Sequence, residues 1–337
     1  MRRWTALVCV MTSTASLSLG GPVAAPYEIG TWRGFRPAAI TYTFDDDLPN
    51  QYAVAVPIFN ARGFKLTLFT VPAWLPGGSW EPAQNAAAHG HEIASHTSTH
   101  PRLPELSAAQ QTTELANSQA AINAHVTNQL CVTLAYPFCV KGDDTLTRQF
   151  YVAARGCSGQ LVPATPPDFL NISSFVCGTE GSVKTPEDFN KLADRAAAGN
   201  AWCAYLIHAI DGDDGYSPLA SATLQASVDY LAAHPDKFWV DTFGNVVRYI
   251  KERNAASVRE TARQDDRISL QVTDHLDDSV YNYPLTLRRP LPDHWPAAAV
   301  SQNNRPVPAQ IVDAGTNRYA MFDVVPDGGE VVLTRKP

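Results

Sequence analysis

Apolar and polar positions follow two alternating periods over the first three quarters of the chain. Residues 39–44 and 66–71 are apolar runs with β-branched and aromatic side chains, which is typical of buried strands. Between them, residues 51–62 place Ala53, Val56 and Phe59 at helical spacing, and Gly63 provides a stop. A strand, helix, strand order of this kind predicts a right-handed crossover between two parallel strands.

The same alternation continues to about residue 253 and predicts the fold class. A long Ala- and Gln-rich segment, 108–125, indicates a helix, as do 224–233 and 245–253. Strand-like runs separate these helices, at 92–95 and 150–154 among others. The pattern therefore predicts an α/β fold built as a distorted parallel (β/α) barrel.

After Arg253 the pattern changes to short alternating runs separated by Pro, Asn and Gly, which predicts a small all-β domain. The turn Pro326-Asp327-Gly328-Gly329 lies between two of these runs and has the composition of a hairpin. We expect a β-sandwich-like unit over residues 262–337, which either packs against the barrel or binds carbohydrate through aromatic side chains. The runs are 268–272, 285–287, 309–312, 319–324 and 330–334, and the aromatic candidates are Tyr281, Tyr283 and Trp295.

The N-terminal segment resembles a secretory signal. Two arginines, Arg2 and Arg3, precede a largely apolar stretch at 4–19, and small residues follow up to Ala25. We expect residues 1–25 to be removed, residues 26–258 to form the barrel domain, and the mature protein to be secreted or periplasmic without stable membrane insertion.

Two short segments contain the residues of a hydrolytic metal centre. Thr43-Phe44-Asp45-Asp46 offers two adjacent carboxylates, and His96-Thr97-Ser98-Thr99-His100 offers two imidazoles separated by three residues, which a helical turn or a tight loop could direct at one ion. Both segments end strand-like runs, where catalytic groups of barrel folds lie. Two His and one Asp form a typical catalytic zinc set that keeps a position for water.

These motifs resemble those of the NodB-homology polysaccharide deacetylase family, carbohydrate esterase family 4. The resemblance implies that Asp45 is the catalytic base and that Asp46, His96 and His100 are the metal ligands. Tyr205-Leu206-Ile207-His208 resembles a later Leu-x-His motif, in which Leu206 lines the acetyl pocket and His208 is the general acid. The third motif survives as Tyr136-Pro137-Phe138, so Tyr136 belongs to the substrate pocket and the Phe138 N–H serves the oxyanion.

Three departures from the family pattern concern the catalytic centre. Asp47 stands where Gly is usual, so it either tunes the site or faces solvent. Ala135 occupies the position of the third-motif Arg that would orient the base, and Arg155, at the end of the next strand-like run, is a substitute that could pair with Asp45. No convincing fourth motif is present, and Asp241 is the best candidate to hold His208, although a structural role fits it better.

Composition and charge restrict the partners. A 45% hydrophobic content over 337 residues supports a large globular core, and a formal charge of −7 without a basic tract argues against nucleic acid as a partner. Once Cys9 leaves with the signal, five cysteines remain and their pairing stays open. These are Cys131, Cys139, Cys157, Cys177 and Cys203.

The sequence thus predicts a secreted hydrolase that removes acetyl groups from carbohydrate. Metal-activated water would act with Asp45 as base and His208 as acid, and the metal would be Zn²⁺ or another divalent ion such as Co²⁺. An N-acetyl sugar polymer or oligomer is the first expected substrate. Two alternatives stay open: an O-acetyl-xylan esterase, and a non-catalytic glycan-binding protein on a degenerate deacetylase fold.

Overall fold

The computed structural model describes residues 27–75, 78–314 and 317–337. The predicted signal segment, residues 1–25, lies outside the described residues.

A curved parallel sheet forms the centre of the first part of the chain, and the predicted fold class is confirmed. Its strands are β2 (Ala38–Asp45), β3 (Thr67–Thr70), β4 (Glu92–Ser95), β5 (Thr133–Ala135), β6 (Ala153–Arg155), β7 (Phe175–Val176), β8 (Trp202–Ile207) and β9 (Phe238–Val240). They run in the order β6-β5-β4-β3-β2-β8-β7, and β9 pairs with the beginning of β2. All these pairings are parallel, so every strand ends at the same edge.

Seven helices connect or flank the strands of the described residues: α1 (Val56–Asn60), α2 (Glu81–Ala88), α3 (Ala108–His125), α4 (Asp144–Thr147), α5 (Pro186–Ala198), α6 (Ser221–Ala232) and α7 (Phe243–Ala255). The helix α3 has the predicted bounds, because a capping box between Ser107 and Gln110 fixes its start. The segment predicted as one helix over 51–62 instead begins with a π-helical turn, Gln51–Ala55, before α1.

The two-residue period of β2 separates two hydrophobic cores. Ile40, Tyr42 and Phe44 pack under the outer helices, whereas Ala39 belongs to an inner core together with α7. Because successive side chains of a strand point to opposite faces, the residue after Phe44 points inward. Asp45 is therefore held inside the curved sheet, where it is almost completely buried.

Two antiparallel sheets follow, as predicted for the C-terminal region. The first has the order β1-β12-β16-β15 and the second β10-β11-β17-β13-β14. Their strands are β1 (Glu28–Ile29), β10 (Ser257–Arg263), β11 (Arg267–Thr273), β12 (Leu285–Pro290), β13 (Ala297–Gln302), β14 (Arg305–Val307), β15 (Ala309–Ala314), β16 (Asn317–Val324) and β17 (Val331–Lys336).

The predicted hairpin at residues 326–329 was wrong. The strands on either side of this turn, β16 and β17, belong to different sheets, so the turn is a crossover between the two layers. The Asp327 N–H donates to the carbonyl of Val272 (2.9 Å), which ties the turn to β11 instead of closing a strand pair. A tight hairpin occurs at Asn303-Asn304, between β13 and β14, where both residues have positive φ as a type I′ turn requires.

The C-terminal sheets share the inner core with α7 and with the barrel. Trp295 is only 2% exposed, and the Tyr283 hydroxyl donates to the Asp241 carboxylate (2.5 Å). Asp241 also accepts from the Trp239 indole N–H (3.2 Å). These aromatic side chains therefore serve packing between the two parts of the chain, not a free carbohydrate surface.

Asp241 consequently lies at the wrong end of the sheet to hold His208. Its N–H donates to the carbonyl of Ile40, near the beginning of β2. Asp45 lies five residues further along that strand, roughly 16 Å away at the usual rise per residue. Asp241 has the structural role that the sequence favoured.

Candidate active site

The motif residues converge at the carboxyl edge of the parallel sheet, although the sequence separates them by more than 160 positions. Each belongs to the end of a different strand or to the loop that follows it: Asp45 and Asp46 at β2, His96 and His100 at β4, Phe138 at β5, Arg155 at β6 and His208 at β8. Because parallel strands end at one edge, the sheet topology alone brings these side chains together.

The loops that carry these residues contain strained backbone. In the loops after β2, β4 and β5, six non-glycine residues have positive φ: Asp46 (81°), Asp47 (56°), Thr97 (65°), His100 (63°), Phe138 (57°) and Cys139 (58°). Such conformations cost about 1–3 kcal/mol each and persist only where surrounding contacts enforce them. The His-x-x-x-His segment is accordingly a tight loop and not a helical turn, with the His100 N–H donating to Thr97 Oγ1 (3.0 Å).

Asp46, His96 and His100 form a donor set that fits a divalent metal. Their candidate ligand atoms lie within 4.8 Å of one another, and Asp46 Oδ1 is 3.6 Å from Nε2 of each histidine. Ligand atoms about 2.1 Å from a tetrahedral zinc would lie about 3.4 Å apart, which is close to this spacing. Asp46 Oδ1 is buried and has no hydrogen-bond partner among the described residues, as expected for an atom that faces a cation.

The protonation states of these three residues favour the same conclusion. His96 Nδ1 donates to the Ala135 carbonyl (2.8 Å), which leaves the Nε2 lone pair directed at Asp46. Burial lowers the pKa of His96 to about 3, so the ring is neutral and able to bind metal. Burial and the nearby Asp45 and Asp47 carboxylates raise the pKa of Asp46 to about 7, so its ionised form needs a cation beside it.

Asp45 lies next to this set and is held by Arg155. The two side chains form a fully buried ion pair between Arg155 Nη2 and Asp45 Oδ2. Burial acts to raise the pKa of Asp45, but the Arg155 guanidinium and the His96 and His208 rings outweigh it and lower the pKa below its ordinary value. Asp45 is therefore an ionised carboxylate with its second oxygen, Oδ1, free of protein partners in the described part of the chain.

The position of Arg155 on β6 lets it substitute for the arginine that the third motif lacks. In the pairing of β5 with β6, Arg155 is the direct register partner of Ala135, the position at which the family pattern has Arg. The guanidinium thus reaches Asp45 from the neighbouring strand. It packs over the Phe69 ring (5.2 Å) and approaches Ser174 Oγ (3.4 Å).

His208 completes the group on the opposite side. Its Nε2 lies 3.9 Å from Asp45 Oδ2 and 3.9 Å from Asp46 Oδ2. Burial is the main factor that lowers the pKa of His208. Its Nδ1 has no partner among the described residues, so the structure, like the sequence, assigns no residue to the fourth-motif role of holding this ring.

The predicted pocket residues divide into accessible and buried ones. Phe138 is the second residue of a 3-10 turn, Pro137–Cys139, so its N–H has no partner within that turn and is available to an oxyanion. Leu206 is buried on β8, two residues before His208. The Tyr136 side chain is 1% exposed and packs in the outer core, so only its backbone belongs to the site.

Asp47 faces inward, not towards solvent. Its Oδ2 accepts from the Val71 N–H (2.7 Å) and its Oδ1 accepts from the Tyr52 hydroxyl (2.8 Å). Burial raises the pKa of Asp47 to about 6. The two bonds anchor the left-handed turn that presents Asp46, a conformation that Gly would adopt without strain.

Replacing Asp47 with alanine is expected to weaken zinc binding at least about tenfold, because both anchors of the Asp46 turn are lost. A competition titration against a chromophoric chelator measures the change. Asp47→Asn, which keeps one acceptor oxygen, is the matched control and should fall between the alanine variant and the wild type. Wild-type affinity in Asp47→Ala would show that the anchor supports the fold but not the metal.

Gln51 is a site residue that sequence reasoning missed. Its side-chain amide is buried and donates to the backbone carbonyls of Asp45 and His208, so it joins the ends of β2 and β8. Its signal in the sequence was that Gln51 is a polar residue at the start of the predicted helix 51–62, which otherwise has an apolar face. Ser174, which bridges Arg155 and the Gly156 carbonyl, gave no signal in its local sequence.

Three exposed aromatic rings border the site, and two of them, Trp74 and Tyr216, were not predicted from the sequence. Trp74 (46% exposed) and Phe138 (53%) each lie 4.6 Å from the His100 ring, and Tyr216 (52%) lies 5.0 Å from the His208 ring. Large exposed aromatics are uncommon in monomers, and a cluster of them marks a ligand-binding surface. They flank the metal set on two sides.

A single disulfide, Cys139–Cys157, is present among the described residues. The sequence left the pairing open. Cys131, Cys177 and Cys203 are buried free thiols. No helix within 27–75, 78–314 or 317–337 is long and apolar enough to cross a membrane.

Comparisons with known proteins identify relatives of this site and fold. Residues 33–152 match the polysaccharide deacetylase family model, which covers the Asp45–Asp46 and His96–His100 motifs. A gellan lyase from Bacillus sp. is 29% identical over 328 residues, 91% of this chain. A provisionally named polysaccharide deacetylase of Bacillus subtilis, YxkH, is 29% identical over 110 residues, 32% of this chain. The chain spans only 13% and 39% of the lengths of these two relatives.

A solved structure supports the fold assignment. A provisionally named polysaccharide deacetylase from Mycobacterium smegmatis superposes with a TM-score of 0.51 at 17% identity, over 73% of this chain and 99% of that chain. The superposition extends well past the residues that the family model matches. Residues 33–152 are thus similar in sequence to the polysaccharide deacetylase family, and the fold likeness extends over most of the chain.

Proposed function

We propose that this chain is a secreted, metal-dependent hydrolase that removes acetyl groups from carbohydrate. The observation that carries the proposal is the convergence of an ionised carboxylate, Asp45, with the Asp46, His96 and His100 donor set and the His208 ring. Among the described residues, Asp45 Oδ1 has no protein partner. A purely structural ion-pair cluster would not leave Asp45 Oδ1 and Asp46 Oδ1 buried without a hydrogen-bond partner in the described part of the chain.

The two neighbouring aspartates would have different roles because their surroundings differ. Asp46 would bind the metal with His96 and His100, and a divalent ion there lowers the pKa of a bound water and polarises the acetyl carbonyl. Asp45 would accept a proton from the attacking water through Oδ1, while Arg155 holds Oδ2. Arg155 therefore fixes which oxygen of the base is available.

The remaining groups would serve the intermediate and the leaving group. The Phe138 N–H would donate to the oxyanion that forms on the acetyl carbonyl. His208 would give a proton to the departing nitrogen or oxygen, and its Nε2 lies 3.9 Å from the base that collects the proton from water. Leu206, two residues earlier on β8, would contact the acetyl methyl group.

Three features support a carbohydrate substrate. Trp74, Phe138 and Tyr216 offer exposed ring faces beside the metal set, and apolar faces of pyranose rings stack on such surfaces. The family acts on acetylated carbohydrate, and the relative that aligns with 91% of this chain is named a gellan lyase. An N-acetyl sugar polymer or oligomer is our first assignment, and O-acetyl xylan is the alternative substrate.

Zinc and export complete the proposal. Two imidazoles and one carboxylate are ligands that zinc favours, and cobalt accepts the same set. The Cys139–Cys157 disulfide is typical of proteins that mature in an oxidising compartment, which agrees with the signal-like N-terminus.

Acetate release tests the proposal and separates the substrates. Chelator-treated protein and the same protein reloaded with zinc are incubated with N-acetylglucosamine oligomers and with acetylated xylan. Release that requires zinc, from either substrate, would support the deacetylase and identify the bond it cleaves. Absence of release from both, with zinc tightly bound, would contradict the proposal and favour the glycan-binding alternative.

A further inference from the structure

We propose that the Cys139–Cys157 disulfide is a positioning element of the catalytic centre, which fixes the Phe138 N–H relative to the Asp45–Arg155 pair. This inference rests on the proposed function for its catalytic consequence. Its structural part, that the disulfide holds the Phe138 loop in place, stands by itself. The two cysteines are direct or near neighbours of catalytic groups, since Cys139 follows Phe138 and Cys157 lies two residues after Arg155.

The Arg155 side of the disulfide is a rigid support. Arg155 is held in β6 by its pairing with Ala135 and by a bridge to Ile172. The Gly156 N–H donates to the Ile172 carbonyl (2.8 Å), and the Gly156 carbonyl accepts from Ser174 Oγ (2.7 Å). A Cβ at Gly156 would lie 2.7 Å from Asn171 Oδ1, so this segment packs closely against Asn171.

The Phe138 side has far fewer constraints. Phe138 and Cys139 are consecutive non-glycine residues with left-handed φ of 57° and 58°, a conformation that relaxes unless something holds it. The Phe138 ring is 53% exposed, with Arg102 over it at 4.6 Å. Two backbone bonds close the turn, from the Cys139 N–H to the Tyr136 carbonyl (3.0 Å) and from the Val140 N–H to the Pro137 carbonyl (3.1 Å). The disulfide is thus the covalent link from a strained, exposed turn to a rigid strand.

The disulfide matters here because Arg155 lies on β6, whereas Phe138 follows β5. If the arginine lay at position 135, it and the Phe138 N–H would belong to one short segment and would move together. Here the two groups come from different strands, and the disulfide joins the loops that follow them. The disulfide thus joins the loop of the oxyanion donor covalently to the segment that carries Arg155, the partner of the base.

The test compares the zinc-loaded wild type with the Cys139→Ala/Cys157→Ala double variant, each with and without tris(2-carboxyethyl)phosphine. The phosphine cleaves the S–S bond by donating two electrons, takes its oxygen from water and leaves two protonated thiols. Hydrogen exchange of residues 137–140 and 153–156 is measured together with kcat, KM and zinc affinity. Val300→Ala, a core truncation in β13, controls for general destabilisation.

We expect the phosphine, or the double variant, to speed exchange at residues 137–140 at least about tenfold while residues 153–156 keep their protection. The kcat should fall about tenfold, with KM and zinc affinity within about twofold of the oxidised wild type. The double variant should not respond to the phosphine, and Val300→Ala should keep its kcat.

Unchanged exchange at 137–140 after reduction would overturn the proposal, and so would an unchanged kcat in an active enzyme. If the double variant does not fold, reduction of the folded wild type still decides both points. A wild type that hydrolyses no acetylated substrate would refute the proposed function, whereas the exchange measurement would still show whether the disulfide holds the loop.

Discussion

Replacing Asp45 with asparagine is expected to lower kcat for acetate release about 10³-fold while the protein keeps its zinc. The asparagine side chain would fill the same space but could not accept a proton from the attacking water. Asp45 is not one of the three metal donors, so metal content, measured by mass spectrometry of the purified protein, should be unchanged. The lower kcat would then result from the loss of the base and not from the loss of the metal.

Asp46→Asn provides the matched control for this prediction, because it makes the same carboxylate-to-amide change at the neighbouring residue. It should lose activity together with zinc, since Asp46 Oδ1 faces both His96 and His100. Substantial activity in Asp45→Asn, or equal loss of zinc in the two variants, would contradict the separate roles that we assign to the pair.

The residues of the candidate site could be identified in the sequence because they occur in short local segments. Asp45, Asp46, His96 and His100 occur in two segments of five residues or fewer, and each segment follows a strand that its own apolar pattern reveals. Parallel strands share one carboxyl edge, so the prediction needed only the order of elements. In the structure, His96 Nε2 lies 3.5 Å from Asp45 Oδ2, and the ligand atoms of Asp46, His96 and His100 lie within 4.8 Å of one another.

The contacts that hold the site could not be predicted in the same way, because they depend on register. Whether Arg155 reaches Asp45 is decided by its pairing opposite Ala135, and a slip of one residue would turn its side chain to the other face. Ser174 is distant in sequence from every residue that it supports. The disulfide partner of Cys139 could not be predicted either, because the sequence alone does not show which of the other cysteines lies near it.

The C-terminal sheets show a different limit of sequence analysis. Their strands were largely visible as alternating runs, but the turn at 326–329 has the composition of a hairpin and connects two sheets. Turn residues specify a backbone reversal, whereas the partner of each strand is chosen by long-range packing. The exposure of aromatic side chains was equally hard to predict. Trp295 was a candidate for carbohydrate binding and is buried. Trp74 was not singled out and is exposed beside His100.

Replacing Arg155 with methionine is expected to lower kcat about 10²-fold and to destabilise the fold by about 3–5 kcal/mol. Both effects follow from leaving the Asp45 carboxylate buried without a cation. The Arg155 charge lowers the pKa of Asp45, so its loss raises that pKa. The base is active when ionised, so the acid limb of the kcat/KM profile should move to higher pH.

A control for the Arg155 prediction follows from the pairing of Ala135 with Arg155 in the sheet. Ala135→Arg combined with Arg155→Ala moves the guanidinium back to the position usual in the family, across the same β5–β6 pair, and should recover part of the lost activity. Asp45→Asn/Arg155→Met should be more stable than Arg155→Met alone, because the buried charge is gone. Denaturant unfolding and pH–rate profiles measure both outcomes. A full-activity Arg155→Met enzyme with an unshifted acid limb would show that Arg155 contributes only to packing.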